Sequence, residues 1–504
     1  MIYGDWEAAY ERLPAMLNAM KASNPGMHYE YLPKQGETRD GRQVFGRAFW
    51  TFGQCIEAFK HCRPVLAIDG TFLTGKYNGT LLVAIGIDNE DMLVPLAFAL
   101  VSKEDTDSWS WFLGLVRRLI VGTNREVCMI SDRHAGILNA VEAQLEGYGR
   151  MHHRWCTRHL AQNLLRKDGK QEHFKLFEEV CRQREKRDFH RKLDDLMLRT
   201  NDEGRSFLDG LMASKEKWSL AYDGGVRWGF MTSNFAEIMN SLLRGCRSLP
   251  VTAIAAFTFY RCNQWFVQRF HRATALFDKG EEWPKHVDDT IGHSKNKSKR
   301  QTATCFDRSS GTYEILEAGG TNAGGEDRHA RKHKVVITAN TCTCQKPTLL
   351  HIACSHMHTA CRVRRVDPLV PPRTAKEFGL RYLMNTWAPR FEPFRDEEEW
   401  PTYEGPRFVA DRSLLHKSKG PRRRKRFAMD MDRAAKGKST RRVVGSHFVE
   451  DTQANRCSLC HKEQHNKRKC PLAQRCQVIH NLKRNLLFLV LVCNLFLFHY
   501  PYIL

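Results

Sequence analysis

The feature that most constrains the fold is the short run Val65-Leu66-Ala67-Ile68, which ends in Asp69 and a Gly-Thr turn. Four consecutive apolar residues bounded by turn formers read as a buried strand. Two further strands are predicted over Thr80–Ile87 and Leu93–Val101, with the turn-forming Asp88-Asn89 between them. Trp109, Phe112, Leu113, Val116, Leu119 and Ile120 then recur at helical spacing. Glu126–Ser131 reads as another buried strand ending in Asp132, and a helix is expected from His134 to Glu146. Strands and helices in that order make one α/β domain with a mixed sheet.

The rest of the chain divides around this core. Residues 1–60 read as a helical and linker segment, with Trp6, Tyr10, Leu13, Met16, Leu17 and Met20 near helical spacing. The core is placed over 61–270, with a charge-dense helical insertion at about 160–230 and helical character again around Thr232–Leu243. Residues 271–330 read as helical and linker sequence, with the Gly-rich stretch 319–333 a loop or hairpin tip. From 405 to 450 the chain is basic, poor in apolar residues and expected to be disordered in isolation.

Two carboxylates at strand ends have a chemical meaning. Residues just past strand carboxyl ends face the functional crevice of an α/β domain. There, Asp69 and Asp132 can hold a pair of divalent cations that clamp an in-line phosphodiester displacement. Mg²⁺ suits this work because it takes few protein carboxylates and keeps other positions for water or substrate oxygen. An isolated Asp at such a place is also a common turn or helix cap.

The surrounding words narrow the choice. VLAIDGTFL around Asp69, MISDRHAGILNAV around Asp132, HHRWCTRHLAQN with Cys156 and His159, and MTSNFAEIMNSLL around Glu237 together resemble the Mutator-like transposase family. The resemblance covers about residues 30–270. It implies an RNase H-like fold with a helical insertion, and Asp69, Asp132 and Glu237 as a catalytic triad for Mg²⁺ or Mn²⁺. The 104 residues between Asp132 and Glu237 leave room for that insertion. Thr232, Ser233 and Asn234 are candidate caps for a helix bearing Glu237. Cys156 and His159 share a helical face, so they could give two ligands to one metal. Helix packing with a hydrogen-bonded His159 is the alternative.

Seventeen cysteines are unevenly placed, and their clearest clusters lie after residue 340. Cys342, Cys344, Cys354 and His356 form Cys-x-Cys-x9-Cys-x-His, a complete tetrahedral zinc set within a module placed at 331–366. A strand over Lys334–Ala339 and a helix over Ser355–Val363 are expected to carry it; nearby His358 and Cys361 leave the ligand choice open. This pattern resembles the SWIM zinc finger, which commonly follows a Mutator-like core. Within 455–472, Cys457, Cys460, His465 and Cys470 have the spacing of a retroviral-type zinc knuckle, a module that binds single-stranded nucleic acid or proteins. Gln464 stands where the knuckle's usual Gly would be and Ser458 where its aromatic would be, so metal binding is better supported than nucleic-acid readout. Structural Zn²⁺ is therefore expected at two places.

Lys plus Arg exceed Asp plus Glu by 79 to 56, giving a formal net charge of +23. Such a balance suits a polyanion, because each neutralised phosphate releases counterions. DNA is the partner the resemblance implies, with self-association compatible with it. The run Arg422, Arg423, Arg424, Lys425 and Arg426 reads as a nuclear-import signal or DNA-contacting tail, or else as a solvated linker. The opening residues lack a basic-then-apolar secretory pattern, so a reducing compartment, and the nucleus within it, is the working expectation.

Residues 485–504 form an apolar run of about bilayer-spanning length. A tail anchor and translation past a normal coding end explain it equally well, and a membrane partner ranks last. Nothing in Met1–Lys60 has zinc-ligand spacing or a basic recognition helix. Full-length relatives usually carry a DNA-binding region there, so a truncated or immobile copy is expected. The other reading of the same scaffold is a domesticated, non-catalytic DNA-binding regulator.

Overall fold

The computed structural model describes residues 5–142, 147–321 and 327–416. Seven strands form the main path of the central sheet. They are β1 (His28–Arg39), β2 (Arg42–Thr51), β3 (Val65–Phe72), β4 (Thr80–Ile87), β5 (Leu93–Val101), β6 (Val127–Ser131) and β7 (Met151–Trp155). Their spatial order is β1-β2-β5-β4-β3-β6-β7. The meander β3–β4–β5 is antiparallel, whereas β6 runs parallel to β3 and β7 parallel to β6. The fold is therefore mixed α/β, as expected.

Every residue of β4 and β5 is buried, which explains their unbroken apolar sequence. Strands covered on both faces have no solvent side on which to alternate. The opposite composition hid β1 and β2. Most of β1 is exposed or half-exposed, and its polar sequence reads as linker. Asp40 and Gly41, both at positive φ (52° and 71°), close a two-residue hairpin turn that adds β1 and β2 to the sheet. Residues 28–51 are thus part of the core rather than a linker.

Helices cover the sheet: α1 (Trp6–Ser23), α2 (Gly53–His61), α3 (Thr106–Val116) and α4 (Ala135–Glu142) come first. Asp5 caps α1 by accepting the Glu7 and Ala8 N–H groups, each at 3.0 Å. After β7 the chain leaves the sheet through α5 (Thr157–Asp168), α6 (Gln171–Cys181), α7 (Lys186–Arg199) and α8 (Asp202–Met212). These helices bury a core of their own that includes Phe177, Phe189, Leu208 and Trp218. A buried Asp223 fastens the excursion to β7, accepting from Arg154 Nε at 2.7 Å and Arg227 Nε at 3.1 Å. Return to the sheet is by α9 (Asn234–Leu242), which packs on β3 and β4. Then α10 (Val251–Phe277) lies along the core, where Trp50 Nε1 donates to Thr258 Oγ1 at 3.0 Å in a fully buried contact.

A second, smaller sheet follows α11 (Lys285–Ser298). Its strands are β8 (Gln301–Asp307) and β9 (Thr312–Glu317), then, beyond the two-residue pair β10 (Gly320–Thr321) and β11 (Asp327–Arg328), β12 (Arg331–Val336) and β13 (Thr341–Cys342). The order β13-β12-β9-β8 means that this smaller sheet begins at residue 301, inside the stretch expected to be helix and linker. Two helices complete the module, α12 (Lys346–Leu350) and α13 (Ser355–Arg364).

The chain then returns to the central sheet. Helix α14 (Leu380–Trp387) packs on α2 and α10, and β14 (Phe408–Val409) pairs in parallel with β2. Within 405–416, residues 408–411 are accordingly packed on the core, not linker. Phe408, Val409 and Ala410 are buried there, and Lys34 Nζ reaches Asp411 Oδ2 at 2.9 Å. The basic run 422–426, the knuckle ligands 457–470 and the apolar tail lie outside the described residues. Among the described residues, no helix is long and apolar enough to cross a membrane.

Candidate functional site

Asp69 is the fifth residue of β3, and Asp132 directly follows β6. The two strands are adjacent and parallel, with Ala67 opposite Ile130, so both acids arrive at the same end of the sheet. Gly70 N–H donates to Asp69 Oδ1 at 2.9 Å, and His134 N–H to Asp132 Oδ1 at 3.0 Å. Helix α9 carries Glu237 to the same place. One turn further on, Asn240 Nδ2 donates to Asp69 Oδ2 at 2.7 Å.

The electrostatics match this convergence. Asp69 is pushed up to about 7, first by burial and then by the Asp132 carboxylate, with Glu237 adding to the effect. Glu104, between β5 and α3, is a fourth acid at this end, its carboxylate against the open side of Gly70. Its pKa is raised by burial and, more weakly, by Asp132. Glu237 Oε1 is a buried oxygen with no hydrogen bond, and His159 Nε2 stands 3.4 Å away. Acids converging at one sheet end, with Asp69 raised by the charge of its neighbours, fit a cation site, and His159 is the cationic neighbour of Glu237. The oxygens of these acids are not gathered as closely as the side chains of Cys342, Cys344, Cys354 and His356, whose ligand atoms all lie within 4.8 Å of one another.

The Cys-x-x-His pair acts here as a structural joint. Cys156 is the N-cap residue of α5, wholly buried, with its N–H on Ser131 O at 2.8 Å. Its Sγ accepts the Ser233 N–H at 3.3 Å, and Ser233 is the N-cap residue of α9. Thr157 adds two bonds to Met231 O, from N–H and from Oγ1, each at 2.9 Å. Ser233 makes no side-chain cap; its backbone is held by the cysteine instead. Burial alone would raise the Cys156 thiol, but His159 and the Ser233 N–H draw it below its ordinary value. Burial opposes a charge on His159 too, yet Cys156, Glu237 and Asp132 raise it to about 9. The Cys156–Ser233 bond thus ties the residue after β7 to the start of α9, and His159 faces both Cys156 and Glu237.

Cys342, Cys344, Cys354 and His356 come together as one buried group. His356 Nδ1 faces Cys342 Sγ at 3.5 Å and Cys354 Sγ at 3.9 Å. Cys354 is the N-cap residue of α13 and accepts the Met357 N–H at 3.3 Å. Three sulfurs and one imidazole nitrogen are the donor set that tetrahedral zinc takes. Cys344 is held far below the ordinary thiol value, first by its bonds with Cys342 and Cys354. His358 and Cys361 are buried too, but outside this group of four.

Asn240, Glu104 and Glu317 escaped the sequence reading. Asn240 had a signal, since it lies three residues after Glu237 and so shares its helix face. No local signal marks the other two.

No curated protein matches the chain. Residues 65–163, from the start of β3 into α5 and thus containing Asp69, Asp132, Cys156 and His159, match the family model described as the MULE transposase domain.

Proposed function

We propose that the chain is a Mutator-like DNA transposase with an RNase H-like core that cleaves DNA and joins the freed 3′-OH to target DNA. The observation that carries this reading is the Asp69–Asp132 pair, at adjacent ends of parallel β3 and β6 inside the stretch similar to the MULE transposase domain. Asp69, Asp132 and Glu237 are the residues that would hold two Mg²⁺ or Mn²⁺ ions. Such ions, when bound, activate the attacking oxygen and stabilise the leaving one. The chain's own contribution is positioning. Asn240 fixes the Asp69 carboxylate, and the Cys156–Ser233 bond fixes the start of the helix that presents Glu237.

The module at 301–364 is read as a SWIM-type finger holding structural zinc through Cys342, Cys344, Cys354 and His356. Cys457, Cys460, His465 and Cys470 would hold a second zinc. Both would add nucleic-acid or partner contacts to a nuclear, DNA-bound protein, with Arg422–Arg426 for import or phosphate contact. The parallel, antiparallel and crossover pattern β5-β4-β3-β6-β7, with the excursion α5–α8 before Glu237, supports the RNase H-like assignment.

Mn²⁺ binding followed by electron paramagnetic resonance tests the site itself. Wild-type protein is expected to bind Mn²⁺, and Asp69→Asn to bind it at least ten-fold more weakly, since a cation loses a charged ligand. Equal binding by both proteins would remove the metal site from the proposal.

A further inference from the structure

Outside the acidic site, the most fully built constellation surrounds His356. Its Nε2 lies 3.0 Å from Oε2 of Glu317, the last residue of β9. The other oxygen of Glu317, Oε1, pairs with Lys297 Nζ at 2.7 Å, from the last turn of α11. His333 stacks on the His356 ring with centroids 3.9 Å apart, and its own Nδ1 meets Thr343 Oγ1 at 3.2 Å. One ring face and the outer nitrogen of His356 are therefore committed. Only Nδ1 is left toward the three sulfurs.

We propose that Glu317 is the positioning residue of the finger's metal centre, fixing His356 as an Nδ1 ligand through a Lys297–Glu317–His356 relay. The inference rests on the reading of Cys342, Cys344, Cys354 and His356 as a zinc site. A neutral imidazole carries one N–H, and the nitrogen that keeps it is set by its partner. With Glu317 accepting from Nε2–H, the lone pair stays on Nδ1. A carboxylate behind a ligating histidine fixes ring orientation and raises ligand basicity, and losing it typically weakens metal affinity by 10- to 100-fold. Lys297 holds the carboxylate from a helix that precedes the small sheet, so the same relay joins α11 to the metal centre.

The test uses the full chain carrying Cys457→Ser and Cys460→Ser, so that the finger is the site observed. Zn²⁺ affinity is measured by competition with a chromophoric chelator, and tetrahedral coordination by the visible absorption of Co²⁺. Glu317→Ala is expected to weaken Zn²⁺ about 10- to 100-fold. Glu317→Gln, whose carbonyl still accepts from Nε2–H, should recover part of that loss and keep the tetrahedral Co²⁺ spectrum. Affinity unchanged in Glu317→Ala, or Glu317→Gln no better than Glu317→Ala, overturns the proposal. Cys342→Ser in the same background separates the two readings. If it leaves bound metal unchanged, the zinc site itself fails; if it abolishes binding while Glu317→Ala does not weaken it, only the relay fails.

Discussion

Asn240 donates through Nδ2 to Oδ2 of Asp69 at 2.7 Å, joining α9 to β3 across 171 positions of chain. The bond aligns the Glu237 helix with the first acid and leaves Asp69 Oδ1 to the Gly70 N–H. Removing it should loosen the geometry more than the fold. Asn240→Ala is expected to lower metal-dependent DNA nicking by about 10-fold or more, since small misplacements at a reacting centre are costly. The stability loss should be only about 1 kcal/mol, the net worth of one hydrogen bond. Nicking kinetics and thermal unfolding of the same preparation check the pair of outcomes.

Cys156 is predicted to be a joint rather than a zinc ligand. Cys156→Ala removes the acceptor for the Ser233 N–H and the partner of His159. A loss of about 1–3 kcal/mol in unfolding free energy should follow, because a buried donor is left without an acceptor. Bound zinc, measured by elemental analysis, should not change. Loss of one equivalent would contradict the assignment.

Acid sensitivity should trace in part to His153. It is buried, shares a 2.8 Å hydrogen bond with Ser131 Oγ, and is pushed down to about 3, first by burial and then by Lys217 and Arg154. The ordinary histidine value is about 6.5. Between these values the unfolded chain binds a proton that the folded chain does not. Stability therefore falls as pH drops through that window, by up to about 1.4 kcal/mol per pH unit for this group. His153→Gln keeps a hydrogen-bonding side chain without the titration and should flatten the slope between pH 7 and 5. Denaturant unfolding across that range provides the comparison; parallel curves would rule His153 out.

Metal removal should act locally. The module at 301–364 has its own small core around Ile315, Val335, Met357 and Ala360, separate from the core of the central sheet. Chelation is expected to raise hydrogen exchange in β12, β13 and α13 while β4 and β5 stay protected, because structural zinc contributes its binding energy to the fold it closes. Uniform deprotection of both sheets would show that the finger is not an independent unit.

The legible parts of the fold are those whose burial is apolar. β3, β4 and β5 announced themselves because they are covered on both faces, and Asp69 and Asp132 stood out as the first charges after such runs. β7 did not, because Met-His-His-Arg-Trp is polar sequence whose burial is made tolerable by Ser131 and Asp223, both distant in sequence. The β1–β2 hairpin carried one local signal, Asp40-Gly41, beneath a polar, largely exposed strand. β14 is two residues long and has no periodicity to read. Within the sites, spacing alone brought out Cys342, Cys344, Cys354 and His356, which the fold gathers into one buried group that could hold a metal ion. Glu104, Glu317 and Lys297 act across long separations that no local pattern encodes, whereas Asn240 shares a helix face with Glu237.

On the proposed function, the acids at the ends of β3 and β6 cut DNA. The most direct measurement is Mg²⁺- or Mn²⁺-dependent nicking and strand transfer on duplex DNA, comparing wild type with Asp132→Ala. Cleavage that requires the metal and falls by at least about 100-fold in Asp132→Ala, the scale of losing a group that stabilises transition-state charge, is the predicted result. DNA bound but left intact by both proteins would contradict it, and would mark the chain as a DNA-binding regulator that keeps the acids only as inherited scaffold.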